Sequence, residues 1–531
     1  MDRHDLGASG EIEKTPREAA APDMESEPAA ARAAERVPPW REQVTVRGMV
    51  AALLIGVVYT VIVMKLSLTT GLVPTLNVSA ALLAFLALRG WTHALHRLGI
   101  ACRPFTRQEN TVVQTCAVAC YTIGFGGGFG SFLLGLDKKT YELSGVNTPG
   151  NVPGSYKDPG IGWMMGFLLA ISFVGLLTLL PLRKAFLCIA LLIGDGFYNF
   201  LKVILVTLKS IHEKSQRGRL NRVADEDSVA IDDLQRNEVF NRDNIPAWVA
   251  YAGYALLSAM AVVAIPLMFR EVKWYFVVIA YLLAPALGFC NAYGTGLTDM
   301  NMGYNYGKVA LFVFAAWAGK DNGVVAGLVT CGLVKQLVLV SADLMHDFKT
   351  AHLTLTSPRS MLVGQAVGTL MGCVVAPLTF FLFYEAFDVG NPDGYWKAPY
   401  ALIYRNMAIL GVEGFSALPQ HCLQLCAAFF AFAVLANLAR DFLPGRFGRF
   451  VPLPMAMAVP FLVGASFAID MCVGSLVVFL WHKLDGKKAA LLIPAVASGL
   501  ICGDGIWIFP SSLLALAKIK PPMCMKFTPG S

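Results

Sequence analysis

The chain has 531 residues, of which 56% are hydrophobic and 15% are charged. Soluble domains carry roughly 25% charged residues, so this composition excludes a soluble globular protein and predicts one that crosses a membrane many times. The net charge of +7 requires no nucleic-acid partner, because the Lys and Arg residues lie largely beside apolar runs, as membrane topology requires.

Residues 1–43 are rich in Ala, Glu, Pro and Arg and contain few large aliphatic side chains. Such a segment cannot bury a core, and it lacks the basic-then-apolar pattern of a signal peptide. It is therefore predicted to be a disordered cytoplasmic tail.

A series of apolar runs follows, most of them near the roughly 20 residues that a membrane-spanning helix needs. The runs occupy residues 46–64, 72–88, 111–136, 160–180, 186–208, 247–268, 275–289, 309–318, 324–341, 361–384, 422–438, 451–469, 473–481 and 489–509. Runs 309–318 and 473–481 are too short to cross alone, which is typical of the broken or re-entrant helices of transporters. The predicted fold is an all-α polytopic membrane protein with two helical bundles and such broken or re-entrant segments.

Basic residues indicate the orientation of the chain. Arg residues precede the first run and recur between residues 89 and 107, after the second, so both segments are predicted to be cytoplasmic. The rule then fails, because the single run 186–208 has basic clusters at both ends. Either the rule does not hold here, or an odd number of spans is missing between Lys184 and Ala185.

Residues 209–246 carry many charges of both signs, which is typical of a solvated, flexible cytoplasmic linker. The linker divides the spans into a truncated amino-terminal bundle, residues 44–208, and a carboxy-terminal bundle, residues 247–531. A short internal repeat supports two related halves, since Gly-Asp-Gly followed by aromatic residues ends an apolar run at 194–196 and again at 503–505.

Residues 291–308, NAYGTGLTDMNMGYNYGK, are rich in Gly, Asn and Tyr, which is poor material for a helix or a strand. Irregular polar backbone at membrane depth is stable only when it is buried in protein or lines a wet cavity. The stretch therefore either lines a substrate path or forms a polar loop outside the bilayer. The candidate ligand-binding residues are Asp299, Asn301, Tyr304, Asn305, Tyr306 and Lys308, together with Lys335.

Ionisable side chains inside apolar runs are functional candidates because they are costly to bury. Asp195 and Asp504, the carboxylates of the two Gly-Asp-Gly motifs, are candidates for the uptake and release of a proton. Alternatively, each caps a broken helix or pairs with a lysine, which for Asp195 would be Lys202. Lys335 either attracts an anionic ligand or pairs with Asp343.

No resident metal site is predicted. Most of the 12 Cys lie in apolar runs, where they act as small hydrophobic residues, and the pairs spaced i,i+4 lack further ligands. The segment SADLMHDFKTAH places Asp343, His346 and Asp347 near one face of a helix. Its polar sequence after a span is more typical of an interfacial helix end than of a metal site.

Long motifs extend over most of the chain, from about residue 25 to residue 531. They include RPFTRQEN, FGGGFGSFLLGLDKKTYE, YGTGLTDMNMGYNYGK, DLMHDFKTAHLTLTSPRS and LICGDGIWIFPSSLLALAKIKPPMCMKF. These motifs resemble the yellow stripe-like branch of the oligopeptide transporter family.

The resemblance implies a symporter, not an enzyme, that moves protons together with a metal chelated by nicotianamine or a mugineic-acid phytosiderophore. The metal, iron above all or else Cu, Zn, Ni or Mn, would be cargo, so no permanently bound cofactor is implied. The protein would lie in the lipid bilayer of the plasma membrane with a cytoplasmic amino terminus, and a homo-oligomer is left open. The 291–308 stretch and Lys335 would hold the chelate, and Asp195 or Asp504 would carry the proton.

The sequence departs from the family at one place. After residues 181–184, PLRK, the family continues with a block of several spans that is absent before Ala185. The basic residues break the orientation rule at the same place, so an internal loss is predicted. A transport-inactive truncated isoform, which could pair with a full-length relative, and a small-peptide carrier are the alternatives.

Overall fold

The structure is a computed structural model of the chain. It describes residues 37–178, 231–298, 301–414 and 465–490, apart from positions 70, 72–75, 100–102, 147 and 244, with scattered residues in 424–439 and 492–507. Within these residues every regular element is an α-helix. The helices are α1 (Trp40–Gln43), α2 (Val46–Thr69), α3 (Asn77–Arg97), α4 (Arg107–Gly126), α5 (Phe132–Gly135), α6 (Lys138–Leu143), α7 (Ile161–Thr178), α8 (Ile231–Arg242), α9 (Ala247–Met268), α10 (Trp274–Thr298), α11 (Gly303–Ala318), α12 (Gly323–Thr354), α13 (Pro358–Ala386), α14 (Pro399–Glu413) and α15 (Ala465–Leu484).

Seven of the described helices are long and apolar enough to cross a membrane, namely α2, α3, α7, α9, α10, α12 and α13. The prediction of an all-α, multi-pass membrane protein is therefore confirmed. Helices dominate because the hydrocarbon core offers no water to the backbone, and a helix satisfies its N–H and C=O groups within its own segment.

The longest described helix, α12, lies at the centre of the bundle. Its 32 residues continue well past the predicted run 324–341, and its most apolar stretch is entirely buried. It packs against α4, α7, α10, α11 and α14. After Ser341 the helix carries Asp343 and Asp347, which accept hydrogen bonds from Asn301 and Gln365. The helix ends at Leu355, which has a left-handed φ of 59°.

The predicted run 111–136 is not one continuous helix. α4 ends at Gly126 and α5 begins at Phe132, with a tight turn between them. Gly128 in this turn has a φ of 84°, and a Cβ atom there would lie 2.0 Å from the Phe132 ring. Only glycine fits this backbone and this spacing, so the Gly-rich sequence breaks the run into two helices.

The two runs predicted to be too short for a span have different outcomes. α11 has 16 residues, which is less than a bilayer requires. α15 has 20 residues, so the prediction of a short segment at 473–481 was wrong. Asp470 interrupts the apolar pattern there without interrupting the helix.

Helices on both sides of the predicted linker share one apolar core. Met64 and Phe132 lie in the same buried cluster as Leu333, and α13 packs against α2, α4 and α7. The linker region itself contributes α8, whose Phe240 packs against Phe348 near the end of α12, with ring centroids 6.3 Å apart. Residues 231–242 therefore form a docked helix.

Candidate functional site

The helix break within residues 291–308 is shorter than the sequence predicts. α10 continues to Thr298 and α11 begins at Gly303, so the prediction that the whole stretch is irregular was wrong. Gly and Asn weaken a helix by about 1 kcal/mol each or less, and tertiary contacts outweigh that preference here. The predicted residues Asp195, Asp299 and Asp504 lie outside the described part of the chain.

Two asparagines fasten this break to α12. The Asn291 side chain donates to Asn301 Oδ1 (2.7 Å) and accepts from the Met302 amide (2.9 Å). It also donates to the Val338 carbonyl oxygen (3.3 Å), and Asn301 donates to Asp343 Oδ1 (2.9 Å). Asn291 is 1% exposed, so water does not compete for these bonds. The network fixes where α11 begins.

Lys335 is the central cation of the site. It lies in the middle of α12, is fully buried, and its Nζ has no hydrogen-bond partner among the described residues. Nζ lies 4.4 Å from the centroid of the Tyr304 ring and 5.5 Å from that of Phe132, so aromatic faces partly compensate its charge. The alternative ion pair with Asp343 is not formed in this part of the chain, where Asp343 accepts from Asn301 instead.

Lys308 on α11 is placed in a similar way. Its Nζ lies 6.0 Å from the centroid of the Tyr404 ring on α14, and the preceding residue, Gly307, packs closely against the Lys335 side chain. The Tyr304 hydroxyl is buried and lacks a hydrogen-bond partner in the described structure. Two cations and a phenol hydroxyl thus lie where α11, α12 and α14 meet. A ligand with negative charge and acceptor oxygens suits this arrangement.

The other predicted ligand residues on α11 have different contacts. Tyr304 and Lys308 are one turn apart and share a helix face, whereas Tyr306 lies on the opposite side of α11. Asn305 donates to Met302 Sδ (3.5 Å). Tyr306 is 3% exposed within the apolar core. The structure thus brings together Tyr304, Lys308 and Lys335 from the predicted set.

Arg405 fastens one side of the site. It follows Tyr404 on α14 and is fully buried. Its guanidinium donates to the Gly135 carbonyl oxygen (2.9 Å), to Asn151 Oδ1 (2.8 Å) and to the Ser155 carbonyl oxygen (2.9 Å). All three acceptors are neutral. Arg405 therefore ties the segment between α5 and α7 to α14 through neutral acceptors.

Sequence reasoning missed Lys65 on α2. Its side chain is 5% exposed, and its Nζ has no hydrogen-bond partner in the described structure. The predicted run ended at residue 64 and placed this lysine at the membrane surface, but α2 continues to Thr69. One feature of the sequence could have pointed to Lys65. It is a lone cation directly after a long apolar run, and an ionisable group within a span is costly to bury.

The segment that carries Asp343 and Asp347 forms the carboxyl-terminal part of α12, which continues to Thr354. Asp343 lines a small cavity together with Thr122 of α4 and Gln365 of α13, and the Gln365 amide donates to Asp347. Among the described residues, no group of three or more His, Cys, Asp and Glu side chains comes together to hold a metal ion.

Known proteins resemble the chain over nearly its whole length. The family described as OPT oligopeptide transporter protein matches residues 43–188 and 184–515. A rice protein (Oryza sativa subsp. japonica) named "Probable metal-nicotianamine transporter YSL16" is 68% identical over 677 residues, covering 100% of both chains. The "Iron-phytosiderophore transporter yellow stripe 1" of Zea mays is 57% identical over 670 residues, covering 98% of each. The "Metal-nicotianamine transporter YSL3" of Arabidopsis thaliana is 52% identical over 639 residues, covering 93% of this chain and 94% of the relative.

Two features of these matches concern the junction between Lys184 and Ala185. The family matches the chain in two segments that meet at residues 184–188. The alignment with the rice protein runs over 677 residues, whereas this chain has 531, so part of the relative has no counterpart here.

The family and the named relatives are transporters and not enzymes. The chain therefore belongs to the OPT oligopeptide transporter family, among its yellow stripe-like members, as its motifs predict.

Proposed function

We propose that this chain carries a metal ion, iron above all, across the membrane as a complex with nicotianamine or a mugineic-acid phytosiderophore. The names of the relatives support these two kinds of cargo. The structural observation that supports them is the fully buried amine of Lys335, which lacks a hydrogen-bond partner among the described residues. Because the chelator supplies the ligands of the metal, copper, zinc, nickel or manganese complexes are further cargoes in this proposal.

The chelate binds through its outer oxygens in this proposal. An unpaired ammonium taken out of water costs several kcal/mol, and a carboxylate within hydrogen-bond reach offsets that cost through a charge-assisted bond. Lys335 and Lys308 each take one carboxylate, and the Tyr304 hydroxyl donates to a further oxygen. Asn301 holds the start of α11 in position. Asp299 and Asn305, from the same stretch, are the remaining proposed ligand residues, whereas Tyr306 lies in the apolar core.

Proton movement drives uptake in this proposal, across a plasma membrane with the amino terminus in the cytoplasm. A proton that moves down the membrane potential releases roughly 2.3 kcal/mol per 100 mV, which is enough for a more than tenfold accumulation of cargo. Asp195 and Asp504 are the proposed proton carriers. Uptake by Asp504→Asn that still follows the proton gradient would exclude Asp504 from that role.

A transport-inactive isoform that lacks an internal block is the second candidate function. Three observations support the loss after Lys184: basic clusters at both ends of run 186–208, the family match in two segments, and the longer alignment with the rice relative. Loss of interior helices would leave polar groups facing lipid, which the hydrocarbon core does not tolerate. Such a chain would act only by pairing with full-length relatives.

Uptake of radioactive iron in yeast that lacks its own iron import tests both candidates. The iron is presented as a phytosiderophore complex and as a nicotianamine complex, and the amount of each protein at the membrane is measured in the same cells. A version with a relative's block inserted after Lys184 serves as the control. Uptake above empty-vector cells by the 531-residue chain supports the transporter. Uptake by the restored version alone supports the inactive isoform, and competition by di- to tetrapeptides would indicate a peptide carrier.

A further inference from the structure

Lys65 on α2 is a buried cation that lies outside the predicted set of ligand residues. Its side chain is 5% exposed, so it does not reach the lipid headgroups, and its Nζ has no hydrogen-bond partner in this part of the chain. The described helices that pack against α2 are α3, α4 and α13. The buried carboxylate on these helices, Glu109 of α4, already pairs with Arg47 (2.6 Å). A buried cation without a counter-ion points to a ligand that brings one.

The carboxyl-terminal part of α2, which carries Lys65, contacts a helix that borders the proposed ligand site. One turn after Lys65, the carbonyl oxygen of Leu68 accepts from the Ala398 amide at the start of α14 (2.9 Å). Just beyond, a Cβ atom at Gly71 would lie 2.6 Å from the ring of Tyr400. The carboxyl end of α2 therefore contacts the start of α14.

The first turns of α14 also form a wall of the proposed site. Tyr404 lies one turn after Tyr400, and its ring faces the amine of Lys308 at 6.0 Å. Met64 and Leu68, which flank Lys65 on α2, belong to the same buried cluster as Tyr404 and Phe132. Phe132 in turn contacts the Lys335 amine (5.5 Å).

We propose that Lys65 is a third cation of the ligand site and binds a carboxylate that Lys308 and Lys335 leave free. The inference rests on the proposed function, since nicotianamine and the mugineic acids carry three carboxylates each. Each metal-bound carboxylate keeps an outward oxygen that accepts from an ammonium. Three lysines from α2, α11 and α12 would then close around one anionic chelate, so that binding draws these helices together.

Direct binding measurements test this proposal. The 531-residue chain is purified in lipid nanodiscs, and its affinity is measured for the cobalt(III) complex of nicotianamine and for three analogues, each with one carboxylate converted to a carboxamide. Cobalt(III) serves as the metal because it exchanges its ligands slowly. The variants are Lys65→Met, Lys65→Arg and, as the matched control, Lys320→Met, which removes an exposed lysine. Gel filtration checks that each variant is folded.

We expect Lys65→Met to weaken binding of the parent complex by about 10- to 100-fold, as the loss of a charge-assisted hydrogen bond does. The loss should fall below about threefold for one of the three carboxamides, because that analogue has already lost the carboxylate that Lys65 binds. Lys65→Arg should restore part of the affinity, and Lys320→Met should leave it unchanged.

Three results would overturn the reasoning at different points. Binding by Lys65→Met within about twofold of the unmodified chain, or an equal loss for the parent and all three carboxamides, removes Lys65 from the site and leaves the proposed function standing. Absence of saturable binding by the unmodified chain overturns the proposed function, and the role of Lys65 with it.

Discussion

Replacement of Lys335 by methionine separates a binding role from a structural one, because the two roles predict opposite changes in stability. The amine is fully buried and has no hydrogen-bond partner in the described structure. Its desolvation costs several kcal/mol, and the Tyr304 ring at 4.4 Å returns about 2 kcal/mol. Methionine fills a similar volume without a charge. We therefore expect Lys335→Met to raise the free energy of unfolding by about 1–4 kcal/mol while it weakens chelate binding by at least about tenfold.

The assay combines thermal unfolding in nanodiscs with titration of an iron chelate, and the exposed Lys320→Met serves as the control. A structural lysine would give the reverse pattern, with a lower melting temperature and unchanged affinity. A less stable Lys335→Met protein that still binds the chelate would refute the assignment of Lys335 to the ligand site.

Three further predictions concern the break between α10 and α11 and the segment between α5 and α7. Gly307→Ala would place a methyl group 2.7 Å from the Cβ of the buried lysine on α12, so we expect a loss of about 1–3 kcal/mol in stability and weaker chelate binding. Gly296→Ala, with no atom within 4 Å of the new Cβ, should leave the melting temperature nearly unchanged. Asn291→Ala should cost about 1–3 kcal/mol in unfolding measurements because it leaves a buried amide unpaired, and a fully stable variant would contradict the role given to the asparagine pair. The pKa of Asp137 is raised to about 6 by burial and by the neighbouring Asp158 carboxyl, so the folded protein holds this proton more tightly than the unfolded chain. Its stabilising effect is complete at low pH and is lost as the pH rises from about 4 to about 6, so Asp137→Asn should flatten the melting temperature over that window.

Apolar periodicity and length were sufficient to predict most of the spans. Run 247–268 is α9 itself, and runs 46–64 and 361–384 each lie within one helix. Such predictions succeed because the bilayer imposes one requirement on every spanning segment, namely a run of apolar residues long enough to cross.

The ends of helices were harder to predict, since tertiary contacts decide whether a polar residue continues a helix. Asp343 remains helical because Asn301 reaches it from the neighbouring break, and Lys65 remains helical inside the bundle. The pattern of apolar and polar residues along the chain reveals neither the hydrogen bond to Asp343 nor the burial of Lys65. For the same reason the sequence could propose Lys335 but could not show that it faces Tyr304 and not Asp343.

The hydrogen-bonded pair Asn291 and Asn301 shows another limit of prediction from the sequence. Asparagine in a Gly-rich stretch predicts irregular backbone, whereas in the folded chain the two side chains bond to each other and confine the break to the few residues between Thr298 and Gly303. The sequence correctly predicted a break in the helix. Hydrogen bonds to α12, which is distant in sequence, set the length of that break.

α12 is longer than a straight crossing of the hydrocarbon core requires. At 1.5 Å per residue, its 32 residues measure about 48 Å, whereas the hydrocarbon core is only about 30 Å thick. Lys335 lies in the middle of α12, and the docked helix α8 contacts the carboxyl-terminal end of α12 through Phe240 and Phe348. A displacement of α12 along its axis would therefore also move the surface on which α8 is docked.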